Sequence, residues 1–427
     1  MREIEITPIK KRTVKKVSVL GSKSFTNRAL VMASLAEGKS RIRGCSKCED
    51  TRVLINALQA VGLDIAEKQN EIIVNKRETA LQKFDGEINF GIAGSSLRFF
   101  TAIACLFPGR MVLQAEGEML NRPIGDLVDA LRKLGAKINY LGRYRLAPIE
   151  ILNTVKGGRV TVKGDVSSQY LTALLLIAPA LEKGLEIVVD GKQVSKPYVD
   201  ITLEEMKAFG VDVQRCGYEK YKIDSSWKYK ATDYIVEGDA SGASYFWAIA
   251  AVTESRICVK NINPGSLQGD VLFPDLLEKM GCKVKKNKEE GWIEVEGPQK
   301  LKGISVNMEN MPDSAQTLAA VASFAEGKTE ITGLSTLKRK ETNRLLAMKN
   351  ELEKLGIKTE IGEDYITVIG GEPGGARIET YNDHRMAMSF AVIGTRVSGV
   401  KINNPDVVKK SYPEFWENLK TIETVIR

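Results

Sequence analysis

The sequence predicts an α/β protein of two domains, each a closed, pseudo-symmetric body of three similar units. Three observations carry this. The chain has 427 residues, beyond the ~250–300 at which a single hydrophobic core stops growing. A pattern of apolar helix, short strand, second amphipathic helix ending in an apolar residue and Gly, then another strand recurs along it. The helix-ending glycines are Gly62, Gly135, Gly210, Gly281 and Gly356, spaced by 73, 75, 71 and 75 residues. The polar, aromatic stretch 216–238 is longer than the other junctions and divides the units three and three. Periods this long fall outside the solenoid repeats, so three units close on themselves instead of forming an open array. The boundaries follow: residues 21–238 form the first domain and 239–427 the second.

In chain order, M-R-E-I-E-I-T-P at the start alternates like a strand. G-S-K-S-F-T-N-R-A-L over 21–30 leads into an Ala/Leu-rich buried helix ending at Gly38, with Thr26 or Asn27 as its N-cap. The equivalent helices of later units open near Leu97, Gln169, Ala243, Ala315 and Met386, the last unit being cut short by the C-terminus. S-R-I-R-G from Ser40, M-V-L-Q from Met111, L-E-I-V-V-D from Leu185 and K-T-E-I-T from Lys328 alternate as strands.

Composition narrows the function. With 43% hydrophobic and 27% charged residues and no run of roughly 18 apolar residues, the chain predicts a soluble protein without membrane spans. Its start lacks the apolar core of a signal peptide, which predicts a cytoplasmic location, or an organellar one after trimming. The six cysteines lack the density of a disulfide framework and predict reduced core thiols. Cys45 and Cys48 form a lone C-x-x-C without a second ligand pair, and with a single histidine no catalytic metal is expected. The net charge of +8 comes from 62 Lys and Arg spread along the chain without a nucleic-acid motif. Small polyanionic ligands, steered by an electropositive cleft, fit that distribution.

Four segments set polar or basic groups at a helix start, where backbone N–H groups and the dipole favour an anion. The first holds Lys23, Ser24 and Arg28. In G-I-A-G-S-S-L-R the glycines, Gly94 among them, admit close approach, Ser95 and Ser96 can cap, and Arg98 follows. In N-R-P-I-G, Arg122 precedes a proline suited to the first helical position. Ser167, Ser168 and Gln169 present two hydroxyls and an amide. Further on, Asp313 stands just before a helix of small apolar residues, and Lys340, Glu341 and Arg344 fall on about one helical turn. Asp383, His384 and Arg385 stand at a helix start, and Lys410 precedes a Ser-Tyr-Pro turn. Taken singly, each has an ordinary structural reading as a helix cap, a solvated charged face or a surface loop. A P-loop is excluded by spacing, because Gly21 is followed by Ser22 instead of Lys, and G-x-S-x-G is absent.

Read together, the motifs resemble the enolpyruvyl transferase family from about residue 18 to about residue 420. The likeness rests on G-S-K-S-x-x-N-R-A-L, x-N-R-P-I-x-x-L, S-S-Q-Y-L-T-A-L-L, V-S-K-P-Y-V-D-I-T, E-G-D-A-S-x-A-S-Y-F, R-K-E-T-x-R and Y-N-D-H-R-M-A-M. It implies a two-domain inverted α/β prism, each domain of three βαβαββ units, with residues 1–20 joining the second domain and the active site in the interdomain cleft. The branch it points to moves the enolpyruvyl group of phosphoenolpyruvate to the 5-hydroxyl of shikimate 3-phosphate, with no metal or organic cofactor, as a monomer. The resemblance implies that Lys23 reaches toward the reacting centre and that Ser24 and Arg28 hold the shikimate carboxylate. Ser167, Ser168, Gln169, Ser195, Tyr198 and Lys340 would bind shikimate 3-phosphate. Arg122, Arg344, Arg385, Lys410 and the Gly94 backbone would hold phosphoenolpyruvate. Asp313 is assigned to the hydroxyl proton, Glu341 to the methylene carbon, Lys23 is a further proton carrier, and His384 shapes the site.

The chain departs from the pattern at Leu20, Ile92, Phe99, Thr336 and Asn343; Ile92 and Phe99 flank Gly94 and bear on sensitivity to glyphosate, which resembles phosphoenolpyruvate. The nearest rival acceptor is UDP-N-acetylglucosamine, whose enzymes carry a reactive Cys ahead of the active-site Arg; 115–122 has none. A basic nucleic-acid-binding protein is the rival from another class, and would tolerate loss of Asp313 and Glu341.

Overall fold

The computed structural model describes residues 2–10, 12–76 and 81–423; Met1, where the N-terminal strand reading begins, lies outside them. The chain divides into two compact units, Gly21–Val236 on one hand and Met1–Leu20 with Glu237–Arg427 on the other.

In Gly21–Val236, three four-stranded sheets share one strand order. Gly86–Asn89 runs parallel to Met111–Gln114, which pairs antiparallel with Ile149–Ile151, itself antiparallel to Ile138–Tyr140. Gly158–Lys163, Leu185–Asp190, Lys220–Ile223 and Gln214–Cys216 repeat that order. In the remaining sheet the parallel outer strand, Asp233–Ile235, comes from the far end of the unit to pair with Gly38–Arg43. Parallel neighbours need a crossover, and helices Gly94–Ala104 and Ser168–Ile177 supply it.

The other unit repeats the scheme. Val14–Ser18 completes the sheet of Arg256–Lys260, Trp292–Glu296 and Lys283–Asn287, and a second sheet runs Ser305–Asn307, Lys328–Thr332, Ile366–Ile369, Lys358–Ile361. The truncated sixth repeat is closed by the opposite end of the chain: Glu3–Glu5 pairs antiparallel with Lys401–Asn403, which is parallel to Arg377–Ile378.

The first helix of each repeat is apolar nearly all round because it lies inside its unit. Every residue of Ala240–Val252 is buried, and this helix, Ala315–Ala322 and His384–Gly394 pack against one another. In the other unit, Lys23–Leu35 and Gly94–Ala104 both pack on Ser168–Ile177. The five helix-ending glycines have φ of +92, +102, +84, +106 and +82°. A left-handed residue there turns the chain off the helix. At Gly62, Gly135 and Gly356 an added Cβ would meet nothing within 4 Å, so conformation and not crowding sets the residue. Five cysteines are buried, but Cys216 is exposed on its strand, contrary to the expectation of core thiols throughout. Among the described residues no helix is long and apolar enough to cross a membrane.

Candidate functional site

In the unit containing the C-terminal half, one arginine organises three carboxylates. Arg344, the first residue of helix Arg344–Lys354, is 1% exposed. Its Nη1 donates to Asp313 Oδ1 at 2.9 Å, its Nη2 to Glu341 Oε2 at 2.8 Å, and its Nε to Asp383 Oδ2 at 2.7 Å. Arg385 Nη2 donates to the second Asp313 oxygen at 3.0 Å, and Lys340 Nζ lies 3.5 Å from the first. Lys410 Nζ lies 3.3 Å from Glu341 Oε1. Four cations thus contact three carboxylates, and cations gathered in this way can also be shared with an anionic ligand.

Burial alone would raise the Asp313 carboxyl, but Arg385, Lys340 and Arg344 outweigh it and hold it well below its ordinary value. The Arg344 guanidinium is disfavoured by burial, yet Asp383, Glu341 and Asp313 raise its pKa above the ordinary value. Local backbone explains the placement. Asp383 caps helix His384–Gly394 by accepting from the Arg385 N–H at 2.9 Å, and His384 Nδ1 lies 3.5 Å from the same carboxylate. The preceding Tyr381 and Asn382 both have positive φ, +52 and +55°, a strained pair. Buried Glu351, two turns along the helix from Arg344, accepts from Tyr381 Oη at 2.6 Å and from the Glu379 N–H at 3.0 Å. Helix Arg344–Lys354 therefore grips the strained loop at both ends.

In the unit Gly21–Val236, Arg28 is buried. Its Nε donates to Thr202 Oγ1 at 2.8 Å, Nη1 to the Ser24 carbonyl at 2.8 Å and Nη2 to the Tyr198 carbonyl at 3.2 Å. Its guanidinium lies 5.4 Å from the centre of the Phe99 ring. Ser195, in the left-handed region, precedes helix Lys196–Ala208 and accepts from the Tyr198 N–H at 3.1 Å. Lys23 Nζ pairs with Asp50 Oδ2 at 2.8 Å. Ser167 caps helix Ser168–Ile177, and Gln169 Oε1 accepts from Arg98 Nη1 at 2.6 Å. A Cβ built on Gly94 would stand 2.8 Å from Arg122 Nη1, so any larger residue would push that guanidinium from its place. Among the described residues no group of three or more His, Cys, Asp or Glu is placed to hold a metal.

Several helix starts differ from the sequence reading. Helix Lys23–Leu35 begins ahead of Thr26 and Asn27. Thr26 Oγ1 instead donates to the Ser22 carbonyl and accepts from the Ser46 N–H at 2.9 Å, and Asn27 accepts from Thr51 Oγ1 at 2.9 Å, so both serve buried tertiary contacts. Ser95 and Ser96 lie inside the first turn of Gly94–Ala104, and Ser96 Oγ donates to the Asp50 carbonyl at 2.6 Å. Arg122 ends a 3-10 helix, Gly117–Asn121, and the following α-helix starts only at Gly125, so Pro123 is not its first residue. Asp313 sits within the 3-10 turn Pro312–Ser314. Lys340 and Glu341 precede helix Arg344–Lys354 instead of lying on it, because Asn343 caps that helix by accepting from the Leu346 N–H at 3.3 Å. Lys410 ends the 3-10 helix Pro405–Lys410 and is buried, not part of a surface loop. The reading missed Asp50, Asp270, Thr202 and Glu351, isolated residues without a local signature.

Comparison with known proteins gives consistent matches. A family model described as EPSP synthase (3-phosphoshikimate 1-carboxyvinyltransferase) matches residues 8–419. The chain is 40% identical over 427 residues to a 3-phosphoshikimate 1-carboxyvinyltransferase of Marinomonas sp. (strain MWYL1), covering 99% of this chain and all of the relative. It is 42% identical to the protein of that name from Serratia proteamaculans (strain 568), covering 95% of each. Among solved structures it is similar to an EPSP synthase from Acinetobacter baumannii, with a TM-score of 0.80, 25% identity and coverage of 99% and 98% of the two chains.

Proposed function

The chain belongs to the EPSP synthase (3-phosphoshikimate 1-carboxyvinyltransferase) family, and from that premise we propose how its residues carry enolpyruvyl transfer from phosphoenolpyruvate to the 5-hydroxyl of shikimate 3-phosphate. The observation that carries the residue assignment is the pairing of Asp313 and Glu341 through one buried arginine, amid Lys340, Arg385 and Lys410. Two carboxylates within a cluster of cations offer an acid and a base beside an anion site.

Asp313 takes the hydroxyl proton as the oxygen bonds to the substituted carbon of phosphoenolpyruvate, and Glu341 delivers a proton to its methylene carbon. Loss of a proton from that methyl carbon and of phosphate then restores the double bond. Lys23 serves as a further proton carrier, drawn from its pair with Asp50. Arg122, Arg344, Arg385, Lys410 and the Gly94 backbone hold phosphoenolpyruvate. Ser24, Arg28, Ser167, Ser168, Gln169, Ser195, Tyr198 and Lys340 hold shikimate 3-phosphate, and His384 shapes the site. A base held far below its ordinary pKa is weak. Two polyanions that draw on Lys340 and Arg385 relax the field on Asp313, so its basicity rises as the site fills. The chain is read as the two domains 21–238 and 239–427 with 1–20, and as a cytoplasmic monomer.

Phosphate release from phosphoenolpyruvate by the purified chain tests the acceptor. We expect release with shikimate 3-phosphate and none with UDP-N-acetylglucosamine; the reverse pattern, or release with neither, would sink the assignment. Gly94→Ala tests the phosphoenolpyruvate site. The new methyl displaces the Arg122 guanidinium, so KM for phosphoenolpyruvate rises about tenfold, or about 1.4 kcal/mol, while KM for shikimate 3-phosphate stays near that of the unaltered chain. Equal changes in both KM values would contradict that placement.

A further inference from the structure

A buried carboxylate outside the residues assigned so far stands behind Asp313. Asp270, in the 3-10 helix Gly269–Leu272, is 4% exposed. Its Oδ2 accepts from the Ser241 hydroxyl at 2.7 Å, in the first turn of Ala240–Val252. Its Oδ1 accepts from the hydroxyl of Ser314, the residue after Asp313 and itself fully buried. The loop that carries Asp270 is anchored: Gln268 accepts from the Ala240 N–H at 3.0 Å and donates to the Gly238 carbonyl at 2.9 Å.

This arrangement is costly as a purely structural element. Burial pushes the Asp270 carboxyl up, Arg385 draws it down and Asp313 pushes it up again, so the two carboxylates and Arg385 form one electrostatic group. Apolar residues of similar volume often stabilise a fold as well as a buried charge does. What the carboxylate adds is a fixed hydrogen-bonded strut on the turn that presents Asp313. The Asp313 side chain itself pairs with Arg344, Arg385 and Lys340, which the proposed function turns toward substrates. The bond from Ser314 to Asp270 does not pass through any of those cations.

We propose that Asp270 is a positioning residue: through Ser314 it fixes the Pro312–Ser314 turn and thereby the aim of Asp313 at the acceptor hydroxyl while the substrates occupy the surrounding cations. This rests on the function proposed above.

The test uses the full chain with Asp270→Asn, Ser314→Ala, their double variant, and Ser241→Ala, which loosens the carboxylate at its other end. Asp270→Asn is expected to lower kcat about tenfold to a hundredfold, as small misplacements of a reacting group do, with both KM values within about threefold. Ser314→Ala should reproduce that loss, the double variant should be no worse than the poorer single one, and Ser241→Ala should stay within about threefold in kcat. Should Asp270→Asn fail to fold, Ser314→Ala against Ser241→Ala decides the matter alone. A kcat for Asp270→Asn or Ser314→Ala within about twofold of the unaltered chain, or equal losses from both serine variants, would overturn the inference. If the unaltered chain releases no phosphate with shikimate 3-phosphate, the functional reading itself falls, and the inference with it.

Discussion

Asp313→Asn lowers kcat by about a hundredfold to ten-thousandfold, the range lost when a positioned general base is removed. The amide keeps the shape and its one oxygen can still accept from Arg344 or Arg385, whose bonds go to different oxygens of the carboxylate, but it cannot take a proton. The effect therefore falls on kcat, read from phosphate release at saturating phosphoenolpyruvate and shikimate 3-phosphate, and a kcat within about tenfold would show that another group is the base. The same carboxylate affects stability. Its folded pKa is depressed below the ordinary 3.8, so its contribution is complete above that value and disappears as pH falls through the folded pKa. Asp313→Asn should accordingly flatten the acid side of the unfolding profile.

Arg344→Met carries the largest expected cost to the fold. Arg344 is 1% exposed and Asp383 is fully buried, and the arginine donates to three carboxylates at 2.7 to 2.9 Å. Removing one partner of a buried pair leaves the others uncompensated and costs about 3–5 kcal/mol. Arg344→Lys restores a charge but not the planar fork that reaches three acceptors, so it should recover only part of the loss. Urea unfolding of both variants measures this; stability within about 1 kcal/mol of the unaltered chain would mean that the network is not held by Arg344.

The sequence made the repeat legible because its marks are local. A glycine closing each amphipathic helix needs only its own positive φ, and five such glycines set the period. Apolar helices such as Ala240–Val252 announce their burial by composition. Strand closure was not legible from periodicity, because Asp233–Ile235, Val14–Ser18 and Glu3–Glu5 pair with strands far away in the chain. For the N-terminal strands, only the family likeness indicated where they belong. Helix starts were misplaced where several hydroxyl and amide groups crowd together, as at Thr26 and Asn27, whose polar atoms serve neighbouring segments in three dimensions. The charged motifs stood out one by one, but their pairing did not. Nothing near Glu341 or Arg344 in sequence shows that one guanidinium joins Asp313, Glu341 and Asp383, and Asp50 and Asp270 read as unremarkable single acids until the fold brings Lys23 and Ser314 to them.

In the proposed reaction an acid and a base in this cluster add the acceptor across the double bond of phosphoenolpyruvate and then eliminate phosphate. Turnover in deuterium oxide tests it directly, with the vinyl methylene of the product examined by nuclear magnetic resonance. Deuterium is expected at that carbon, because a solvent-exchanged proton is added there and one of the methyl hydrogens is then lost. A product whose methylene remains wholly protonated would contradict it.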